Sequence, residues 1–483
     1  MSEIYLGIDL GTSSVKAVLV DADDAVLAGA SVPLEVQRPR PGWSEQDPRR
    51  WWEATLEAVD RLQAEAPRVL AATVGIGLSG QMHGAVLLGE GEAVLRPAIL
   101  WNDGRAAAEC PELDGLREVT GNAAMPGFTA PKLLWVRRHE PAIFAATRLV
   151  LLPKAYLRLC LCGEAAEDMS DASGTLWLDV AARDWSDAAL GATGLSRAHM
   201  PRLVEGNAAT GRLHPALAAR WGMATRPVIA GGAGDNAASA VGLGAVRPGD
   251  AFLSLGTSGV LWATTDRFRP NPARFVHAFC HALPGLWHQM SVHLSAAGSL
   301  EWWAQASGAT VTGLLAEVGA PARPSSALFL PYLSGERTPH NDAAVRGAFL
   351  GLDHAADRAT LTQAVLEGVA FAIRDGQEAL AQAGAMLESA IVTGGGSRSR
   401  SWVAILASVL GVPLARPAAG EHGAALGAAR LGRMAATGED PATVCRKPVI
   451  AETVEPEPRL VCAYAERYAQ FRAAYPAMKG VLS

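Results

Sequence analysis

Cysteine is scarce in this chain. There are six among 483 residues, and the C-x-C pair of Cys160 and Cys162 has no second pair to join it. That excludes a disulfide framework and offers no zinc-site spacing, so the thiols read as reduced and buried in a cytoplasmic protein. Long apolar runs are missing too. The most apolar tracts, such as residues 227–233, are strand-length, well short of the roughly twenty residues a membrane span needs. The opening residues lack a basic segment leading into a long apolar stretch, so no secretory signal is expected. Lys and Arg total 42 against 48 acidic residues, a formal charge of −6, with no dense basic block. A nucleic-acid partner is therefore not expected. No low-complexity linker interrupts the chain, and the oligomeric state is left open, a homodimer included.

Glycine, by contrast, is plentiful. Many of the 50 glycines sit in short clusters after apolar runs, as suits backbone that approaches a ligand or a neighbouring segment closely. A chain of this length that is 49% hydrophobic exceeds one ordinary core, and two domains are expected. Residues 4–9, 15–20 and 26–32 read as an antiparallel meander. Pro48 opens a helix whose apolar face is expected to carry Trp52, Leu56, Val59 and Leu62. A strand at 73–78 ends in Ser79-Gly80-Gln81-Met82-His83-Gly84. Another at 227–230 ends in Gly231-Gly232-Ala233-Gly234-Asp235-Asn236, before a small-residue helix at 237–243.

The opening then recurs. Residues 251–255, the turn Gly256-Thr257-Ser258-Gly259 and residues 260–264 repeat the strand–turn–strand order, and L-G-T-S-x-V starts at both Leu10 and Leu255. Half a chain apart, these segments read as an internal duplication, two related domains facing each other, with a boundary near residues 242–248. In the second half, a helix at 360–383 carries the core stripe Leu361, Val365, Val369 and Ile373. A strand at 390–393 ends in Gly394-Gly395-Gly396-Ser397, and a helix follows from about Ser399. Small residues from Gly423 onward form a helix that permits close backbone contact across a hinge.

These loops suit phosphoryl transfer, which needs a phosphate cradle, a divalent ion, an oriented hydroxyl and a base. Gly11 lets the first turn bend, and the hydroxyls of Thr12 and Ser13 can donate to phosphate oxygens. Asp9 suits Mg²⁺ through water, since that ion keeps much of its hydration shell. Lys16 can add a positive charge. The turn at Gly256 and Thr257 would grip the phosphates from the other side. Gly394 to Gly396 can lie flat against a base or ribose, with a helix N-terminus nearby. Asp235, where a strand enters a helix, is either a helix cap or a cleft base that accepts a hydroxyl proton. Gln81-Met82-His83 and Trp101-Asn102-Asp103 fit the walls of a polar pocket, although a lone histidine is more often a core residue.

Longer phrases carry a family resemblance: GIDLGTSSVKAVLVD from Gly7, GWSEQDPRRWWEA from Gly42, GQMHGAVLL from Gly80, RPAILWNDGRAAAEC from Arg96, MPGFTAPKLLWVRRHEP from Met125, SLGTSGV from Ser254, LPYLSGERTPHN from Leu330 and GAALGAARL from Gly423. Over almost its whole length the chain resembles the FGGY carbohydrate kinases. The resemblance implies an α/β fold of the two-domain actin/hexokinase/Hsp70-like ATPase type, with duplicated ribonuclease H-like domains and an interdomain cleft. Residues 1–245 would hold the sugar site, the first phosphate turn and the catalytic aspartate, and 246–483 the nucleotide. It further implies Mg-ATP as donor and the 5-hydroxyl of D-xylulose as acceptor, because the Met82-His83 pair is typical of members acting on that ketose while glycerol kinases carry an R-E pair there. By position, Asp235 resembles the general base and Asp9 the magnesium-linked aspartate. Met82, His83 and Asn236 look like sugar contacts. Thr12, Thr257, Gly394, Gly395 and Ser399 match nucleotide contacts, and Trp302 is expected near the adenine. Thr360 departs from the acidic, amide or histidine residue usual before Leu361, a change expected to affect packing. The rival readings are an FGGY kinase for ribulose, glycerol or gluconate, and a sugar sensor or partner-moving ATPase.

Overall fold

The computed structural model describes residues 3–320, 322–418 and 423–482. Its frame is a pair of mixed sheets with closely corresponding topology. In the first, Ile4–Leu10 lies centrally and pairs antiparallel with Ser14–Val20, which pairs antiparallel with Val26–Pro33. On its other flank Thr73–Gly80 and then Val228–Ala230 run parallel, and Ala209–Arg212 closes the edge antiparallel. In the second, Ala251–Leu255 takes the central place, with Gly259–Thr265 and Trp287–His293 antiparallel on one side. Ala390–Thr393 and Leu414–Pro417 follow in parallel on the other, and Ile450–Val454 closes the edge antiparallel. Spatial order, direction and chain order correspond for five strands, and only the edge strands differ, since Ala209–Arg212 precedes its neighbour in the chain and Ile450–Val454 follows its own. The L-G-T-S repeat therefore marks a duplicated unit rather than two similar turns. The second sheet adds His277–Cys280 at its edge.

Strand alternation decides what each face carries. Along Ile4–Leu10, Leu6, Ile8 and Leu10 point to the side where Trp51, Val59 and Leu62 of the helix Pro48–Glu65 pack. Pro48 starts that helix and Asp47 caps it by accepting from the Arg49 amide, as its chemistry favours. The buried stripe differs from the expected one. Trp51, Ala54 and Ala58 are buried, while Trp52 and Leu56 are only half-buried. Small Ala54 and Ala58 let the helix approach the sheet, and Trp51 is the tryptophan whose indole N–H finds a buried partner, Gln46 Oε1 at 2.9 Å.

The opposite face carries Tyr5, Gly7 and Asp9, and it is covered by the helix Gly423–Thr437. This helix comes from the second half of the chain yet packs on Ile4–Leu10, Thr73–Gly80 and the helix Asp235–Gly242 of the first. Backbone meets backbone there. A Cβ on Gly77 would lie 1.7 Å from the Ala428 carbonyl oxygen, one on Gly7 2.0 Å from that of Ala425, and one on Gly427 1.8 Å from that of Ala238. Arg430 locks the contact with two hydrogen bonds to Asp24, at 3.1 and 3.0 Å. Among the described residues no helix is long and apolar enough to cross a membrane.

This interlock leaves no room for a methyl group. Gly77→Ala should lower unfolding stability by about 3 kcal/mol or more, because only backbone can move aside. Gly115→Ala, where nothing lies within 4 Å, should leave thermal denaturation unchanged or slightly raised. Equal melting of the two variants would contradict the packing described.

Candidate active site

The strand ends that carry glycine-rich loops meet at one cleft. Asp9 lies opposite Ser79 in the parallel register and opposite Lys16 in the antiparallel one. The Ser79 hydroxyl donates to Asp9 Oδ1 at 2.9 Å. Burial pushes the Asp9 carboxyl upward, with Ser79 and the Lys16 charge opposing. In the second sheet Ser254 takes the place of Asp9, opposite Thr393, so the duplication keeps one carboxylate at the cleft rather than two.

The first turn is braced by a closed polar circuit. The Trp101 indole donates to Thr12 Oγ1 at 3.0 Å, and that hydroxyl donates to Gln81 Oε1 at 3.0 Å. Gln81 Nε2 donates to Gln46 Oε1 at 3.0 Å, and Gln46 Nε2 returns to the Thr12 carbonyl at 2.8 Å. Thr12's proton is therefore committed within the protein, and Ser13 is the exposed hydroxyl of this turn.

Asp235 is the first residue of the helix Asp235–Gly242, whose cap position is held by Gly234. The Asn236 amide and side-chain nitrogen both donate to Asp235 Oδ1, at 2.8 and 3.0 Å, so the carboxylate does not act as the helix cap. Burial first, and the Asp9 charge second, raise its pKa to about 7. The loop before it is fixed from behind by a charge cluster that sequence reasoning missed. Fully buried Lys154 pairs with Glu167 at 2.5 Å, Asp171 at 3.4 Å and Asp168 at 3.7 Å. The Ser170 hydroxyl, bonded to Asp168 at 2.8 Å, accepts the Gly234 amide at 3.1 Å. The available signal was a lysine set in the apolar run around Leu152 and Leu157.

A cavity of about 310 Å³ joins these parts. Asp9, Lys16, Asn236, Thr393, Gly394 and Gly395 all line it, together with residues 423–425 of the interlocking helix. Gly394 has φ 85° and abuts the second turn, since a Cβ there would fall 2.7 Å from the Leu255 carbonyl carbon and 3.0 Å from the Gly256 nitrogen. The carbonyls of Gly256 and Thr257 accept the Ala297 and Ala296 amides, at 2.8 and 2.9 Å. This docks the helix Ala297–Ala306 against the turn. Trp302 rides on that helix, 38% exposed and stacked on Phe329 at 5.8 Å, outside the cavity lining. Ser399 caps the helix Arg400–Leu410 through the Trp402 amide. Thr360 bonds the capping Asp357 with both its amide and its hydroxyl, at 2.8 and 2.7 Å, a role at a helix start.

Asn236 thus lines the 310 Å³ cavity, while Met82 and His83, outside that lining, sit by Gly234 and Gly174. A Cβ on Gly234 would meet Met82 Sδ at 2.9 Å, and one on Gly174 would meet the His83 ring at 2.5 Å. His83 adopts φ 70°. Its carbonyl is clamped by Lys132 Nζ at 2.9 Å and Thr129 Oγ1 at 3.2 Å. Its Nδ1 lies 2.7 Å from the Gly174 carbonyl. A carbonyl only accepts, so Nδ1 carries the proton and Nε2 is left as an acceptor. Burial, aided by Lys132, depresses the His83 pKa to about 3, so the ring is neutral. Beyond it, a second cavity of about 370 Å³ is lined by Trp101, Asn102, Asp103 and Gly127 of the first half and Glu336 and Arg337 of the second. Asp235 lies between Gly234, which abuts Met82, and Asn236, which lines the first cavity, so a phosphate donor on one side and a hydroxylated acceptor on the other would both come close to a raised-pKa aspartate.

Comparison with known proteins places both halves of the chain in one family. Residues 4–242 match the model of the FGGY family of carbohydrate kinases, N-terminal domain, and residues 251–436 match its C-terminal domain. A xylulose kinase of Escherichia coli (strain K12) is 50% identical over 479 residues, 98% of each chain. A crystal structure described as a xyloylose kinase from Brucella ovis superposes with a TM-score of 0.97 at 56% identity, covering 99% of this chain and 100% of that one. A xylulose kinase from Rhodospirillum rubrum does so with a TM-score of 0.92 at 30% identity, over 99% and 100%. With both halves matched and these relatives covered nearly end to end, the chain belongs to the FGGY family of carbohydrate kinases.

Proposed function

We propose that this protein transfers the γ-phosphoryl group of ATP to the 5-hydroxyl of D-xylulose, in the cytoplasm. The observation that carries the reading is the position of Asp235, a carboxyl with its pKa pushed up to about 7, between Asn236 on the glycine-lined cavity and Gly234 against the Met82–His83 wall. A base whose pKa lies near the working pH combines a useful ionised fraction with useful proton affinity. The relatives named xylulose kinase support the choice of sugar. Six free cysteines suit a reducing compartment.

In this reading residues 1–245 hold the sugar, with Asp235 as the base and the Asp9 turn facing the phosphates, while residues 246–483 hold the nucleotide. His83 Nε2 accepts a sugar hydroxyl proton, and the Met82 side chain packs against the carbon chain. Asp235 takes the proton of the attacking hydroxyl. Asn236 orients Asp235 through two hydrogen bonds and presents its own amide to the donor's phosphates. Lys16 and the amides of Gly394 and Gly395 meet negative charge in the cavity. Among the described residues no group of three His, Cys, Asp or Glu could hold a metal. That donor set fits Mg²⁺ carried in with the nucleotide, since this ion needs only one or two carboxylates besides water and phosphate. Asp9 would hold it, and it would neutralise charge on the transferring group.

A panel of D-xylulose, D-ribulose, glycerol and D-gluconate in an ADP-release assay tests the assignment. D-Xylulose should give a kcat/KM at least about tenfold above the rest. Preference for another acceptor would overturn the choice of sugar and leave the kinase. Asp235→Asn keeps the Asn236 bonds to Oδ1 and should lose turnover by about 100-fold or more, with ATP affinity little changed. The acid limb carries a sign. A base with pKa near 7 is protonated below it, so kcat/KM for the sugar should fall as pH drops through about 7. A flat profile down to pH 5 would contradict the role given to Asp235.

A further inference from the structure

The second cavity holds an arginine with nothing to bind. Arg337 lies in the loop after the strand Leu328–Leu330 and lines the 370 Å³ cavity opposite Trp101, Asn102 and Gly127. The backbone on both sides of it is fastened. Glu336 Oε1 accepts the Leu294 amide at 3.0 Å and the Arg337 amide at 2.7 Å. The Thr338 hydroxyl donates to the Phe275 carbonyl at 3.0 Å and accepts the Val292 amide at 3.1 Å. Yet among the described residues the half-buried Arg337 guanidinium makes no ion pair and no hydrogen bond. Arg105, next to Asp103 and Gly104 of the other wall, is by contrast ion-paired with Asp103 and Glu45, each at 2.7 Å. A half-buried cation held on fastened backbone at a cavity wall, with no partner among the described residues, is the arrangement expected where a ligand completes the pairing.

Chemistry limits what that ligand group is. A guanidinium has only donors, so the partner must offer lone pairs. The ionisable groups around it are His83, His277 and Glu336, and the Arg337 charge holds both histidines further below their ordinary pKa than burial alone does. Both rings are neutral. Glu336 Oε2 is buried without a hydrogen bond, so a carboxylated sugar would bring a second negative charge beside it, whereas a neutral acceptor would not. A pentulose phosphorylated on its 5-hydroxyl must bind in the open-chain form, because closing its five-membered ring consumes that oxygen. The open form has a free C2 carbonyl, an oxygen that only accepts. The polyol of the same carbon skeleton replaces it with a hydroxyl on a tetrahedral carbon, which moves the oxygen out of the plane the carbonyl occupies and brings a proton that must be placed, so it meets the guanidinium fork less well.

We propose that Arg337, reaching the pocket from the second half, is a specificity-determining residue that donates to the carbonyl oxygen of an open-chain ketose and thereby rejects the matching polyol. The inference rests on the sugar-kinase reading above and adds that the sugar is read from both sides of the cleft, so the site is complete only when the halves meet.

The test is kcat/KM for D-xylulose and for xylitol in the wild type, Arg337→Lys and Arg337→Met, with KM for ATP and sugar-independent ATP hydrolysis measured alongside. The wild type should favour D-xylulose by about 100-fold or more, the discrimination expected where a built hydrogen bond is lost. Arg337→Met should lose most D-xylulose activity and little xylitol activity, collapsing the ratio towards one. KM for ATP and the sugar-independent rate should stay as in the wild type. If Arg337→Met fails to fold, Arg337→Lys should still shrink the ratio, since one ammonium cannot reproduce the fork. A wild type that takes both compounds equally, or a ratio unchanged in either folded variant, would overturn the proposal. A wild type that prefers a different ketose to its polyol would refute the choice of D-xylulose while leaving Arg337 to be judged by that pair's ratio.

Discussion

The cleft depends on partly desolvating two half-buried carboxylates. Burial is the largest cause raising the pKa of both Asp9 and Asp235, and the Asp9 charge raises Asp235 further. Left in open solvent, Asp235 would titrate near 4 and be a weak base. Desolvation turns an ordinary side chain into one that can take a hydroxyl proton near neutral pH. The remaining architecture serves to hold that poorly hydrated site without letting it collapse or flood.

The walls are mostly backbone. The helix Gly423–Thr437 crosses from the second half of the chain onto the first sheet, and glycines at 7, 77, 242 and 427 let it lie against the strands and the Asp235 helix. Because Gly7 and Asp9 share a strand face, the same close approach that needs a glycine at one position covers the carboxylate two residues on. Behind Asp235 the opposite strategy is used. Lys154 is buried among Glu167, Asp168 and Asp171, and Ser170 passes the hold on to the Gly234 amide. Such a cluster is weak evidence for added stability, since its desolvation offsets its attraction. It fixes the direction of a loop. The second half contributes the Gly394 turn on the phosphate side and Arg337 on the sugar side, so both cavities are shared between the halves.

Much of this was legible in the sequence because strand-end loops impose local demands on residue type. The repeat from Leu10 and Leu255 announced a duplication that the strand order bears out. Segments far apart in the chain, around Asp9, Asn236 and Gly394, line one cavity, although the resemblance groups Asn236 with the sugar contacts. What was not legible depends on distant partners. Trp51 rather than Trp52 is buried because Gln46 offers an acceptor and two alanines open space, neither of which hydrophobic spacing registers. The Thr12 hydroxyl looked free for phosphate, but its proton goes to Gln81, 69 residues away. Lys132, Lys154 and Arg337 carry no mark of their partners in the sequence, since only the folded chain shows which carboxylates or carbonyls they meet and which they lack.

The central claim is that the fold imposes a burial cost on the Asp235 carboxylate, and stability against pH tests it without substrate, metal or nucleotide. With a folded pKa of about 7, well above the unfolded value, the cost is absent below about pH 4. It grows as pH rises and is complete above about 7. Asp235→Asn removes the charge and keeps the shape. In denaturant unfolding it should match the wild type near pH 4 and exceed it at pH 8 by up to roughly 4 kcal/mol, each pH unit between the two values being worth about 1.4 kcal/mol. Equal stability at both pH values, or a variant less stable at pH 8, would mean that Asp235 is well solvated and that the account of the cleft is wrong.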